Sequence, residues 1–324
     1  MSFLKKHLSI LCLFLLLNVN VFAGGFSDWV LDRVRLGLLG KSAEVSCPEN
    51  GVPICIGAKD GGKISGYVLR NNSDRISGPL CGRTIVWFSG NGCSATNIFN
   101  YKSLVDDFFY LGASEIVALD VRGYGRSVFK GCVPGNSQSS NMNEQTIIED
   151  IESMVNFLII RVNKVSPPPL VIGHSLGGFL ASCFARKCYE KIRVRCSVVL
   201  LSPLLNLQTA VEGFCTSRPG GGMLKICFLR FVRNNDEFNT CENIILGNPK
   251  PLIVITGDKS SDWLSSEGTE IETICTRLDG VFICIKGCGH TDVHEMFQML
   301  FNYPPDLHER FQALFNYPPV FCRR

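Results

Sequence analysis

A serine with glycines two positions before and two positions after it stands in Gly173-His174-Ser175-Leu176-Gly177-Gly178. Small residues at those places permit the sharp, strained turn that lifts a hydroxyl clear of a sheet, as a nucleophile requires. A helix beginning at the turn points its first amides at the same oxygen and favours a developing oxyanion. A short apolar stretch, 170–173 (LVIG), precedes the serine, and a helical stretch, 176–186, follows it. An ordinary Gly-rich turn would use the same residues, but strand before and helix after is the context that a nucleophile needs.

A serine nucleophile needs a base, and the chain has five histidines. His7 lies in the N-terminal apolar region, and His174 is expected to direct its side chain elsewhere on the turn. His294 and His308 hold equivalent places in a duplicated segment. His290 remains, in 287–291 (GCGHT), directly after an apolar run. Loops at strand carboxyl ends are where an α/β sheet gathers reactive groups. The base in turn needs a carboxylate to hold its tautomer. Residues 257–263 (GDKSSDW) supply two. Asp262, deeper in the loop, is favoured; Asp258 is the alternative acid, with the competing task of fixing the turn through its own backbone. For the oxyanion, the Leu176 amide needs a second donor, and the Asn91 amide in 89–94 (SGNGCS) is the natural choice because glycines flank it.

Holding these groups requires a scaffold, which the apolar pattern describes. Continuous apolar runs fall at 84–88 (TIVWF), 115–120 (EIVALD), 170–173, 193–201 (RVRCSVVLL), 252–256 (LIVIT) and 281–285 (VFICI). Helical stretches near 101–111, 147–158, 176–186 and 271–277 separate them. The clearest carries Ile147, Ile148, Ile151, Met154, Val155 and Leu158 at three- and four-residue steps. Runs at 52–56 and 63–69 around GAKDGG predict a hairpin. Continuous apolar strands alternating with amphipathic helices predict an α/β fold, a mainly parallel sheet covered on both faces. The Gly-rich, weakly periodic stretch 206–247 is either a small cap over the sheet's carboxyl edge or a long surface loop.

Composition narrows the function. Of 324 residues, 46% are hydrophobic, which excludes disordered, collagenous and coiled-coil classes. A balance of 32 basic against 29 acidic residues leaves no electrostatic footprint for nucleic acid. Lys5 and Lys6, the apolar run 8–17 and Val21-Phe22-Ala23 read as an export signal over 1–23. The competing anchor is shortened by Asn18 and Asn20, which interrupt the run before it spans about 30 Å of hydrocarbon. Loss of Cys12 with the signal leaves fifteen of sixteen cysteines, so at least one is free or bridges to another chain. Cys284 and Cys288 near His290 lack a second ligand pair at finger-like spacing, so no metal is expected.

Residues 24–44 are amphipathic, with Phe26, Trp29, Val30, Val34 and Leu38 near one helical face. Twelve residues at 294–305 (HEMFQMLFNYPP) recur at 308–319 (HERFQALFNYPP) with two differences. Both regions suit packing on the domain, and both also suit contact with a membrane surface. The expected division is a signal at 1–23, an amphipathic segment at 24–44, a catalytic domain at 45–303 and a tail at 304–324.

The stretches 87–97 (WFSGNGCSATN), 120–127 (DVRGYGRS), 173–178 (GHSLGG), 257–262 and 287–291 together resemble the serine α/β-hydrolase superfamily, most of all its esterase, lipase and acyl-thioesterase types. The order nucleophile, acid, base is the superfamily's. This resemblance implies an eight-stranded core, an acyl-enzyme on Ser175, ester substrates of small-molecule or lipid type and no cofactor. It also implies a bracing role for Arg122 and Tyr124. Two positions depart from the pattern: Ser89 stands where a histidine is usual, and Ser260 where the acid commonly lies. Thioesterase, peptidase and inactive binding-module readings remain on the same scaffold.

Overall fold

All five residues of β3 (Thr84–Phe88) are buried, which places this strand inside a sheet covered on both faces. The computed structural model describes residues 51–72, 78–132, 143–161, 167–206, 238–258, 262, 265, 269–292 and 296. The expected export signal, the amphipathic segment, the middle of the expected cap and nearly all of the duplicated tail lie outside the described residues.

The other strands are β1 (Val52–Gly57), β2 (Lys63–Arg70), β4 (Glu115–Leu119), β5 (Leu170–His174), β6 (Ser197–Leu201), β7 (Leu252–Gly257) and β8 (Val281–Ile285). They form one eight-stranded sheet in the order β1-β2-β4-β3-β5-β6-β7-β8. The β1–β2 hairpin and the β2–β4 pair are antiparallel; every other pair is parallel. β6 and β7 are buried throughout, whereas β1 and β8 at the two edges are partly exposed. The α/β class and the mostly parallel sheet are as the sequence implies.

Helices α1 (Lys102–Tyr110), α2 (Glu144–Arg161), α3 (Leu176–Ile192), α4 (Thr240–Gly247) and α5 (Glu270–Arg277) accompany the sheet. On α2, Ile147, Ile151, Met154, Val155 and Leu158 are buried, each contributing roughly 1.5–3 kcal/mol. Two boundaries differ from the sequence reading. The run at 193–201 becomes strand only at Ser197, because α3 continues to Ile192 and Arg193 caps it with φ 58°. Arg193 and Arg195 then lie over the Tyr189 ring. Within 206–247, α4 buries polar Thr240 and Asn243 alongside Ile244, so its face has no clean apolar period. Asn239 caps it by accepting from the Glu242 amide at 2.9 Å. Asn243 then bonds Cys183 and Arg186 on α3.

The strand order fixes where a site can form. From β3 the chain moves to β4 on one side, then returns to place β5 on the other. Loops leaving β3 and β5 therefore diverge and open a crevice at their carboxyl ends. Pairing of Phe88 with Gly173 brings the loop after β3 level with Ser175. Pairing of Gly257 with Ile285 does the same for the loops carrying Asp262 and His290.

Candidate active site

Ser175 sits between β5 and α3 with φ 55° and ψ −120°, a sparsely populated conformation that costs about 1–3 kcal/mol. Packing enforces it. A side chain at Gly177 would collide with the Phe88 carbonyl, and one at Gly173 with the Gly177 carbonyl. The chain can turn this tightly only where both are glycine. The Ser175 amide donates to the Leu201 carbonyl, and its carbonyl accepts from Gly178 and Leu204. The backbone that carries the hydroxyl is thus tied to the end of β6 and to the first turn of α3.

Ser175 Oγ lies 3.0 Å from His290 Nε2, and His290 Nδ1 lies 3.1 Å from Asp262 Oδ1. A carboxylate only accepts, so Nδ1 carries the ring proton and Nε2 is left to accept from the serine hydroxyl. The Asp262 side chain is fully buried, while His290 keeps 12% of its surface exposed. This is the arrangement in which a carboxylate steadies an imidazolium and the ring still reaches an incoming substrate.

Asp258 is placed differently. Its carboxylate accepts from the Gly287 amide at 3.3 Å, and its carbonyl accepts from the Asp262 amide at 2.8 Å. It ties the two loops together, while Asp262 makes the hydrogen bond to His290. A side chain at Gly257 would collide with the Cys288 carbonyl and crowd Asp262 Cβ, so the two loops touch at their roots.

Leu176 opens α3, where the first amides have no partner in a preceding turn. A side chain at Gly90 would crowd the Ser175 Cβ, so the loop that carries Asn91 passes against the elbow. Two hydrogen-bond networks brace this loop. Ser89 Oγ accepts from the Trp87 indole at 3.1 Å and donates to the Ser94 carbonyl at 3.0 Å. Tyr124 donates to Asn91 Oδ1 at 2.8 Å. The serine in the place of the usual histidine therefore supports the loop by its own bonds. Arg122 is buried, bonded to Asp150 and to the Thr146 carbonyl, and forms an ion pair with Asp60.

Asp120 lines a narrow chamber behind the loop, together with Ser89, Gly90, Cys93, Tyr124 and Leu176. Its Oδ1 accepts from the Ala95 amide at 2.6 Å, and burial pushes its pKa up to about 7.

His174 departs from expectation. Its ring turns toward the base loop, with Nε2 2.8 Å from the His290 carbonyl oxygen. Periodicity does not signal this contact, because the two residues stand 116 positions apart. Cys284 is exposed and Cys288 buried, and no three His, Cys, Asp or Glu side chains among the described residues gather at metal-binding distance.

The model of a family described as serine aminopeptidase, S33 (Hydrolase_4), matches residues 84–272. A multifunctional-autoprocessing repeats-in-toxin protein of Vibrio vulnificus is 22% identical over 245 residues, 74% of this chain. The chain spans about 4% of that toxin's length, and the same share of its Vibrio cholerae counterpart. A protein of Acanthamoeba polyphaga mimivirus named as an alpha/beta hydrolase is 27% identical over 216 residues, covering 66% of this chain and 69% of its own. Among solved structures, an alpha-beta hydrolase of Vibrio vulnificus superposes with TM-score 0.56 at 16% identity, covering 92% of this chain and 89% of that one. An esterase of Pyrococcus furiosus superposes with TM-score 0.55 at 16% identity, covering 85% and 97%.

Proposed function

Since this chain belongs to the α/β-hydrolase superfamily, in the Hydrolase_4 family, we propose that it is a serine hydrolase cleaving carboxylic esters through an acyl-enzyme on Ser175. The observation that carries the reading is the continuous hydrogen-bond chain from Ser175 Oγ through His290 to Asp262. In this reaction Oγ attacks the carbonyl carbon as its proton passes to His290 Nε2. The amides of Asn91 and Leu176 hold the oxyanion. The intermediate collapses, the ester C–O bond breaks, and the leaving alkoxide takes the proton from His290. Water then attacks the acyl-enzyme by the same route and regenerates the serine. Asp262 orients His290 and offsets its transient positive charge.

The proposal extends to an apolar acyl or alcohol part, motivated by the amphipathic stretch 24–44 and the Phe-rich repeats at 294–319. Contact of these segments with a membrane surface belongs to the same proposal. Export rests on the basic, apolar and small-residue order of 1–23. The family description names an aminopeptidase, so amide substrates are the competing class.

A fluorophosphonate probe should label wild type and leave Ser175→Ala unlabelled; equal labelling removes Ser175 from the mechanism. Turnover of nitrophenyl esters of increasing acyl length, against acyl-CoA and aminoacyl amides, identifies the substrate class. Faster cleavage of amides than of matched esters would replace the ester reading.

A further inference from the structure

Beside the Ser175–His290–Asp262 chain stands another titratable side chain that reaches all three loops of the site. His174 precedes the elbow serine, and its Nε2 is 2.8 Å from the His290 carbonyl oxygen. Its ring lies 5.1 Å from the His290 ring, tilted by 36°. On the remaining side, its Nδ1 stands 2.7 Å from the point where a Gly90 Cβ would be, so the oxyanion-loop backbone passes directly against it. One imidazole thus touches the strand end that carries the nucleophile, the loop that carries the base and the loop that supplies an oxyanion donor.

We infer that His174 is a positioning residue that sets the distance between His290 and Ser175. The inference rests on the serine-hydrolase reading and deepens it.

A carbonyl oxygen only accepts, so His174 Nε2 carries a proton and donates it to the His290 carbonyl. In the neutral ring, Nδ1 then holds a lone pair facing Gly90. Burial, the nearby His290 and the modest opposing pull of its hydrogen bond leave the His174 pKa at about 4. The ring is therefore neutral near pH 7. That neutrality matters during turnover: His290 becomes positive beside it, and a second positive imidazole at this spacing would oppose the proton transfer.

The bond also acts on geometry. It anchors the backbone of His290 itself, and the elbow backbone that holds His174 is the one that holds Ser175. Without it, the base loop keeps Asp262 and loses this backbone tie to the elbow, so the 3.0 Å contact between His290 and Ser175 is less firmly set. A displacement of about 1 Å between reacting groups costs on the order of a hundredfold in rate. The same contact explains why position 90 is glycine, since any side chain there would strike His174 and Ser175.

The test uses the full chain and two substitutions. His174→Leu removes the donor, and His174→Gln replaces it with an amide N–H of similar reach. Wild-type ester turnover and fluorophosphonate labelling are measured first. The expected result is a roughly ten- to hundredfold lower kcat in His174→Leu, with KM and melting midpoint close to wild type, and substantial rescue in His174→Gln. Nitrogen-15 NMR of histidine-labelled wild type should show His174 as the neutral Nε2–H tautomer throughout the range where free histidine titrates. Its signal is identified by its absence from His174→Gln.

Wild-type kcat in His174→Leu overturns the inference and leaves the role of Ser175 standing. So does an equal loss of thermal stability in both variants with kcat per folded molecule unchanged, or a His174 ring that titrates like free histidine. If His174→Leu does not fold, the wild-type tautomer decides: Nε2–H supports the inference and Nδ1–H overturns it. Wild type that neither hydrolyses an ester nor accepts the probe brings down the serine-hydrolase reading, and this inference with it.

Discussion

The Ser175 side and the His290 side of the site are held by different physics. Around Ser175, position comes from steric exclusion: six consecutive residues turn so tightly that Phe88 and Gly177 carbonyls occupy the space a side chain would need. Around His290, position comes from hydrogen bonds within and between two loops distant in the chain. Gly287 donates to Asp258, Asp262 to the Asp258 carbonyl, Gly289 to Asp292 and Ser265 Oγ to the Gly257 carbonyl. A steric device tolerates no added atom and fails as a whole. A hydrogen-bonded one distributes its work, so individual losses are graded by what each bond orients.

The largest effect expected from that contrast is at the elbow. Gly177→Val places Cβ against the Phe88 carbonyl, so the variant should lose its cooperative melting transition or several kcal/mol of stability. A soluble, active Gly177→Val would mean that sterics do not hold the nucleophile.

On the base side the two aspartates should separate. Asp262→Asn should reduce kcat/KM by on the order of 10³–10⁴-fold with the fold intact, because the ring loses its tautomer. Asp258→Asn should cost about tenfold or less, since its amide oxygen can still accept from Gly287 and the bond from Asp262 to His290 is untouched. The reverse ranking would make Asp258 the acid.

Between the two regions, Asp120 beside the loop after β3 provides a contrast in pH. Burial raises Asp120 from its ordinary 3.8 to about 7, so between about pH 4 and 7 the folded protein holds a proton that the unfolded chain releases. Stability from this group therefore falls as pH rises through that window and is flat above it. Asp120→Asn removes the dependence and retains an acceptor for Ala95. Denaturant melts at pH 4.5 and 7.5 should show the variant gaining on wild type as pH rises; a constant difference would refute the shift.

The smallest effect is expected at Tyr124. Tyr124→Phe removes the bond to Asn91 Oδ1 and leaves the loop's Ser89 contacts, so kcat should fall by roughly three- to tenfold with little change in melting. A loss as large as that of Asp262→Asn would show that the loop after β3 depends on this single bond.

The duplicated segment shows how far a sequence pattern reaches. Met296, in the first copy, is fully buried and meets Ser202. The second copy has Arg310 at the equivalent place, one of the two positions at which the copies differ. Seating the second copy in the same core position would bury a guanidinium where a thioether now packs, at a cost of several kcal/mol. The substitution makes the copies unequal despite their near-identity.

Strand existence and the elbow were legible because each is a local property. Thr84 and four apolar residues in a row at 84–88 announce an interior strand, and the spacing around Ser175 announces a turn that only glycine permits. α4 was not legible, because it packs polar Thr240 and Asn243 inward and so shows no apolar period. Nor was the end of α3, where a left-handed Arg193 stops the helix in place of the expected glycine or proline.

What the sequence determined alone is the α/β class and the sheet whose strand ends carry Ser175, Asp262 and His290, since residue type and spacing act within a few positions. Only the tertiary structure decided that Asp262 bonds His290 while Asp258 joins the loops, that Ser89 braces the loop after β3, and that His174 faces the His290 backbone. Each depends on which side chains meet across dozens of residues, and that is set by strand register and backbone clashes rather than by neighbours in the chain.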